Sequence, residues 1–255
     1  MSNRIYIIGM GPGREEMMTG EAIAALEQAD VIVGYTVQKH TVYVKLLGER
    51  FAGKKLLTTS MRQETERCEL CFREAEAGNQ VALICSGDAG IYGLASLMYE
   101  LGAKHPETEL LVIPGITAAS SGAAVLGAPL NHDFCVISLS DLMTPWEKIE
   151  KRLQAAAVGD FAMAIYNPSS HRRKDYLQRA CDILLETIEG KRPCGYVENI
   201  GREGTRAVTC TLRELRDREV NMFTTVFIGN SETEILGDKL ITRRGYQAEK
   251  GEKAE

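Results

Sequence analysis

Asp88 lies in SGDAGIYG (Ser86 to Gly93), a glycine-rich stretch that directly follows the apolar run ending at Cys85. A carboxylate placed there can accept hydrogen bonds from backbone N–H groups, take a ligand hydroxyl or amine, or cap the helix expected from about Leu94. His132 carries an imidazole, the side chain type whose ordinary range lies near neutrality, and Tyr35 carries a phenol, so the two residue types suit proton handling or substrate positioning as well as packing or turn formation. Basic groups stand at Lys54-Lys55, Arg62, His171-Arg172-Arg173-Lys174 and Arg202 to Arg206. Arg172, Arg173 and Arg202 fall in loops after expected strands, where guanidinium forks would hold substrate carboxylates in two-point contacts; the alternative is a solvated face. Cys68-x-x-Cys71 has metal-like spacing, but no second pair or neighbouring histidine completes four ligands, so it reads as structural and no metal is expected.

A further chemical candidate is GMGPG, residues 9 to 13, at the end of the first apolar run. Nicotinamide dinucleotide binding needs G-x-G-x-x-G, whereas Arg14 stands where the third glycine belongs and Pro12 removes a backbone donor. The acidic residue that should end the second strand is also displaced, since Asp30 lies at its start. This turn is therefore not expected to hold NAD.

The elements that must position these residues alternate. Arg4 to Gly9 reads as a strand buried on both faces, and Thr19 caps a helix bearing Ala22, Ile23, Leu26 and Ala29. Strands at Val31 to Val33, Lys55 to Leu57 and Gln80 to Cys85 are separated by helices near Gln38 to Leu47 and Gln63 to Ala77, with Tyr35 just beyond the second strand. That order is the βαβ pattern of a parallel sheet, whose ligands bind at the carboxyl ends of the strands. The stretch from Pro114 to Trp146 links two halves. Its small residues, Ala118 to Gly122, suit either the wall of a cofactor cleft or simple close helix packing. Beyond Pro129 the alternation resumes, with strands at Phe134 to Ser138, Phe161 to Tyr166, Cys194 to Glu198, Ala207 to Cys210 and Thr224 to Ile228. The charged tail after residue 246 lacks apolar anchors and is expected to be disordered.

With 255 residues, 44% of them hydrophobic and 25% charged, the chain has enough apolar material for two domains. A net charge of −5 argues against nucleic acid as the main partner. No run approaches the length of a membrane span, and the amino terminus enters a strand at once, so a cytoplasmic protein with reduced thiols is expected.

GMGPG at 9 to 13, ADVIVGY at 29 to 35, SGDAGIYG at 86 to 93 and PGITAASSGAAVLGAPL at 114 to 130 together resemble the tetrapyrrole methylase family. HDFCVISLSDLMTPWEKI at 132 to 149, YNPSSHRRKDYL at 166 to 177 and MFTTVFIGNSET at 222 to 233 look like its branch that methylates carbon 17 of precorrin-3B or cobalt-factor III and contracts the corrin ring. The resemblance implies an α/β fold of two domains, 1–130 and 131–246, with S-adenosylmethionine in the cleft between them, and a homodimer. It implies cofactor contacts from Pro12, from Gly87, Asp88 and Ile91, from Thr117 and Ala118, and from Asn167. In relatives acting on the early uroporphyrinogen ring, an aspartate just after strand two is implicated in proton handling. Tyr35 stands at the matching place, so that role is not carried over, and His132 is the better acid/base candidate.

Overall fold

The first strand, β1 (Asn3–Gly9), is fully buried over Ile5, Ile7 and Ile8, because helices cover both faces of the sheet that contains it. The computed structural model describes residues 3–36, 49–51, 53–170 and 172–246. The helix expected at Gln38 to Leu47, His171 and the tail 247–255 lie outside the described residues.

Around β1 stand β2 (Val31–Thr36), β3 (Lys55–Ser60), β4 (Val81–Cys85) and β5 (Thr108–Ile113), all parallel in the order β3-β2-β4-β1-β5. The period of two sends Tyr6, Ile8 and Met10 to the face covered by α1 (Gly20–Gln28), and Ile5 and Ile7 to the face covered by α2 (Glu64–Glu76) and α3 (Ala95–Gly102). Thr19 caps α1 as expected, its hydroxyl accepting from the Ala22 amide at 3.1 Å. Both cysteines of Cys68-x-x-Cys71 point from α2 into this core with Phe72 and Ala75. The second and third strands run three residues longer than the sequence indicates, so Tyr35 stands inside β2, in register with Thr59.

The chain divides into two compact units between Ala118 and Ala119, twelve residues before the expected boundary at 130. The reason is local packing. Helix α4 (Ala118–Leu126) leads into β6 (Gly127–Ala128), which pairs with the last strand, β13 (Lys239–Thr242). A Cβ on Gly122 would lie 2.8 Å from Phe227 and from Ile200, so at this position the small side chain serves close packing within the second unit.

The second unit carries β7 (Phe134–Ser138), α5 (Trp146–Val158), β8 (Ala162–Tyr166), α6 (Tyr176–Leu185), β9 (Pro193–Glu198), β10 (Arg206–Thr211), α7 (Leu212–Arg216) and β11 (Thr224–Ile228). Its sheet order is β10-β9-β11-β8-β7, with β7 and β8 parallel and the other pairs antiparallel. The expected alternation thus holds through β9. The connection from β9 to β10 is then too short for a helical crossover, and the chain returns as a hairpin. Helices α5, α6 and α7 cover the sheet through Ile149, Leu153, Leu177, Leu184, Leu212 and Leu215. A hairpin of β12 (Thr233–Leu236) and β13, absent from the sequence reading, turns at Gly237 with φ of 63°. Among the described residues no helix is long and apolar enough to cross a membrane.

Burial pushes the thiols up: Cys68 and Cys181 to about 12, Cys85 and Cys210 to about 11, and Cys71 and Cys194 well above the ordinary range. A raised folded-state value stabilises the fold fully below the unfolded thiol range and less as pH climbs through the raised values. Iodoacetamide at pH 8 should therefore label the folded protein slowly, with half-buried Cys135 first, and label all seven cysteines only in denaturant. Rapid labelling of Cys68 or Cys71 in the folded state would contradict this placement.

Candidate functional site

Strands β4, β1 and β5 are neighbours, and the turns that leave their carboxyl ends are joined to one another. The Met10 amide donates to the Cys85 carbonyl at 2.9 Å, while Gly11 and Gly87 exchange amide-to-carbonyl bonds at 3.0 and 2.9 Å. Gly11 and Gly87 hold φ of 70° and 66°, a region that favours glycine. Backbone approaches backbone so closely here that a Cβ on Gly115 would lie 2.1 Å from the Gly87 carbonyl oxygen, and one on Gly9 would lie 2.6 Å from the Gly115 nitrogen.

Asp88 closes this arrangement. Its Oδ1 accepts from the Gly90 and Ile91 amides at 2.8 and 3.1 Å, and its Oδ2 accepts from the Gly115 amide at 2.9 Å. The carboxylate therefore folds its own turn and ties it to the turn after β5. It does not cap α3, whose N-cap, Leu94, has no side-chain bond. Of the roles open to Asp88 in the sequence, acceptor for backbone amides is the one the structure displays.

Around this carboxylate Pro12 is buried, Gly87, Thr117 and Ala118 are half-buried, and Ile91 is exposed. A Cβ added at Gly87 would stand 3.7 Å from Thr117 Cα and 3.9 Å from the Ile116 carbonyl oxygen, so a side chain there would enter the space between two turns. Bare backbone beside an apolar residue is a fitting cradle for a ligand with an aromatic heterocycle and a polar tail. Tyr35 lies on the same sheet, with the Arg67 guanidinium carbon 5.4 Å from its ring centre.

In the second unit, the Tyr166 hydroxyl accepts from the Ala119 amide at 2.6 Å and so satisfies an otherwise orphaned donor in the first turn of α4. Asn167 follows with φ of 53°, and its Nδ2 donates to Ser138 Oγ at 2.9 Å. Arg173 is committed within this unit: it donates to Ser140 Oγ at 2.8 Å, Asp141 Oδ1 at 3.2 Å and Ser170 Oγ at 3.1 Å. Tyr176 donates to the other oxygen of Asp141 at 2.6 Å, and this bond, assisted by Arg173, holds the Asp141 carboxyl below the usual carboxylate range. Arg173 thus shapes the loop Ser138 to Asp141. Arg172 is exposed and makes no hydrogen bond or ion pair among the described residues, whereas Arg202 is half-buried, 5.5 Å from the centre of the Phe223 ring. His132 Nδ1 accepts from the Asp133 amide at 3.0 Å, leaving Nε2 to carry the proton of the neutral ring. It lines a shallow recess with Asn131, Asp133 and Arg244.

Sequence reasoning passed over the close approach at Gly9 and Gly115, whose positions at the carboxyl ends of strands were a usable signal, and Tyr166, whose bond to Ala119 spans 47 residues and left none. Among the described residues no group of three His, Cys, Asp or Glu gathers as a metal centre.

Residues 4–216 match the family described as Tetrapyrrole (Corrin/Porphyrin) Methylases. A probable cobalt-factor III C(17)-methyltransferase from Salmonella typhimurium is 45% identical over 95% of this chain and 99% of its own length. The cobalt-factor III methyltransferase of Priestia megaterium is 43% identical over 97% of this chain, which spans 46% of that longer protein. A precorrin-3B C(17)-methyltransferase from a Sinorhizobium species is 35% identical over 92% of each chain. The crystal structure of the methyltransferase CobJ superposes with a TM-score of 0.85 at 39% identity, covering 94% of this chain and 99% of that one. The uroporphyrin-III C-methyl transferase of Thermus thermophilus, solved with S-adenyl homocysteine, shares the fold at a TM-score of 0.69 and 22% identity over 89% of this chain and 97% of that one.

Asp88→Ala would leave the Gly90, Ile91 and Gly115 amides without their acceptor, at a cost of about 1–3 kcal/mol wherever water cannot replace it. Urea unfolding should show that loss, with a smaller one for Asp88→Asn, and calorimetry should show weaker S-adenosylhomocysteine binding in the folded Asp88→Ala variant. Unchanged stability and affinity would remove Asp88 from the site.

Proposed function

As the chain belongs to the tetrapyrrole (corrin/porphyrin) methylase family, we propose that it is the S-adenosylmethionine-dependent methyltransferase that methylates carbon 17 of cobalt-factor III, with contraction of the corrin ring, in cobalamin biosynthesis. The observation that carries this reading is the 45% identity, over nearly all of both chains, to a relative of that name. The lower 35% identity to a precorrin-3B enzyme favours the cobalt-containing substrate.

Pro12, Gly87, Ile91, Thr117 and Ala118 would hold the cofactor from the first unit, and Asn167 from the second. When bound, S-adenosylmethionine supplies a methyl group already activated on a sulfonium, so the protein need supply little beyond alignment. Asp88 contributes by fixing the two turns that would face it. Arg172, unpaired among the described residues, and Arg202 would meet the substrate's carboxylates, while Arg173 holds the loop Ser138 to Asp141. Tyr35 Oη and His132 Nε2 are the candidates for holding or moving a proton. We extend the proposal to a cytoplasmic homodimer, supported by the family resemblance.

Incubation with labelled S-adenosylmethionine and cobalt-factor III should give a product carrying one more methyl group, by mass, with an altered absorbance spectrum. Transfer to precorrin-3B alone would change the substrate, and binding without transfer to any tetrapyrrole would overturn the enzyme assignment.

Arg172→Ala and Arg202→Ala should each raise the KM for the tetrapyrrole, leave S-adenosylmethionine affinity nearly unchanged, and differ less from the parent protein as salt screens the interaction. Substrate kinetics matching the parent protein across a salt series would return both arginines to the solvated surface.

A further inference from the structure

Arg67, the fourth residue of α2, is only 3% exposed. Its Nη2 donates to the Ser60 carbonyl at 2.9 Å and its guanidinium faces the Tyr35 ring, but among the described residues no carboxylate lies within ion-pair distance of it. Its Nε is buried with no acceptor among the described residues. A cation withdrawn from water usually has an anionic partner, and one facing a neutral carbonyl and an aromatic ring recovers little of its lost hydration. Its place near the amino end of α2, the positive end of the helix dipole, adds to that cost. As a purely structural residue, Arg67 would be improved upon by an apolar side chain of similar length.

A second orphan stands beside it in the fold. Thr59 Oγ1 is buried without a partner among the described residues, and Thr59 pairs in register with Tyr35 across β3 and β2. Strand alternation puts Tyr35 and Thr59 on the face that α2 covers, the face that buries Val31 and Val33. Tyr35, Thr59 and Ser60 all lie at the carboxyl ends of their strands, the edge at which a parallel sheet binds ligands. An unpaired guanidinium and an unused hydroxyl therefore meet at one edge of the first sheet, behind two half-buried side chains, Tyr35 and Thr59, that leave a way in.

We propose that Arg67, with Thr59 and Tyr35, forms a carboxylate-binding subsite that takes one side-chain carboxylate of the substrate; in naming a tetrapyrrole as the bearer of that carboxylate it rests on the methylase reading above. The unpaired Nε–H and the remaining guanidinium donors supply the charge-assisted contacts a carboxylate fills from two sides. Thr59 Oγ adds a neutral donor, and the Tyr35 ring fixes the guanidinium plane from its face.

The test uses the full chain with S-adenosylhomocysteine present and compares the parent protein with Arg67→Met and Arg67→Lys. Cobalt-factor III binding, followed by absorbance, should weaken roughly ten- to a hundredfold in Arg67→Met and less in Arg67→Lys, with S-adenosylhomocysteine affinity unchanged in both. Melting curves identify the folded variants, and propionate, a single-carboxylate probe, should raise the melting temperature of the parent protein but not of Arg67→Met. Parent-like tetrapyrrole affinity in folded Arg67→Met would overturn the subsite and leave the methylase reading standing. Propionate stabilisation that depends on Arg67, in a protein that binds no tetrapyrrole, would keep the anion site and remove the methylase reading. A parent protein that responds to neither ligand would overturn both.

Discussion

Three chain segments approach within backbone contact at Gly9, Gly87 and Gly115; backbone bonds between Gly11 and Gly87 join the first two, and one carboxylate, Asp88, ties the second to the third. The chemistry required of the first unit depends on that constraint. Parallel strands deliver their turns to a common edge, but turns alone would leave amides unsatisfied there and free to seek other partners. Asp88 accepts three of those amides, two from its own turn and one from the turn after β5, and so converts separate loops into one surface. The absence of Cβ atoms permits the approach, and the carboxylate makes it definite. Under the proposed function, side chains would carry little of the cofactor-facing surface, as suits a cofactor whose reactive group arrives already activated.

The second unit solves the same problem by different means. Tyr166 satisfies the Ala119 amide with a hydroxyl from β8, and Asn167 in a left-handed conformation ties the following turn to Ser138. Arg173, Asp141 and Tyr176 then brace the loop after β7 through charge-assisted bonds. The basic run that reads in sequence as one cluster is divided by this geometry into a bracing residue, Arg173, and an exposed one, Arg172. Division of labour among adjacent like charges is invisible in composition, because it depends on which carboxylates and hydroxyls the fold brings near.

Legibility follows the range of the interactions concerned. The strand Val81–Cys85 is a continuous apolar run because both faces are covered, and it and Thr224–Ile228, buried at every position, could be read with little error. The Thr19 cap and the α2 core stripe of Cys68, Cys71, Phe72 and Ala75 are local and were equally open. The β12–β13 hairpin is short and weakly apolar, and the unit boundary at Ala118 depends on α4 packing against Phe227, more than a hundred residues away. The candidate site was legible as motifs but not as bonds. The motif located Asp88, whereas its role hangs on an amide 27 residues further on. Nothing in the sequence singles out Arg67, and only burial among unpaired atoms does so.

The central claim is that the three turns form a prebuilt backbone cradle in which Asp88 serves the protein and not the ligand. A crystal structure with S-adenosylhomocysteine addresses it most directly. The account predicts ligand atoms against Gly87, Ile91, Thr117 and Ala118, with the Asp88 carboxylate still accepting from Gly90, Ile91 and Gly115. A ligand seated away from these turns, or an Asp88 side chain released from those amides to bind it, would contradict the account.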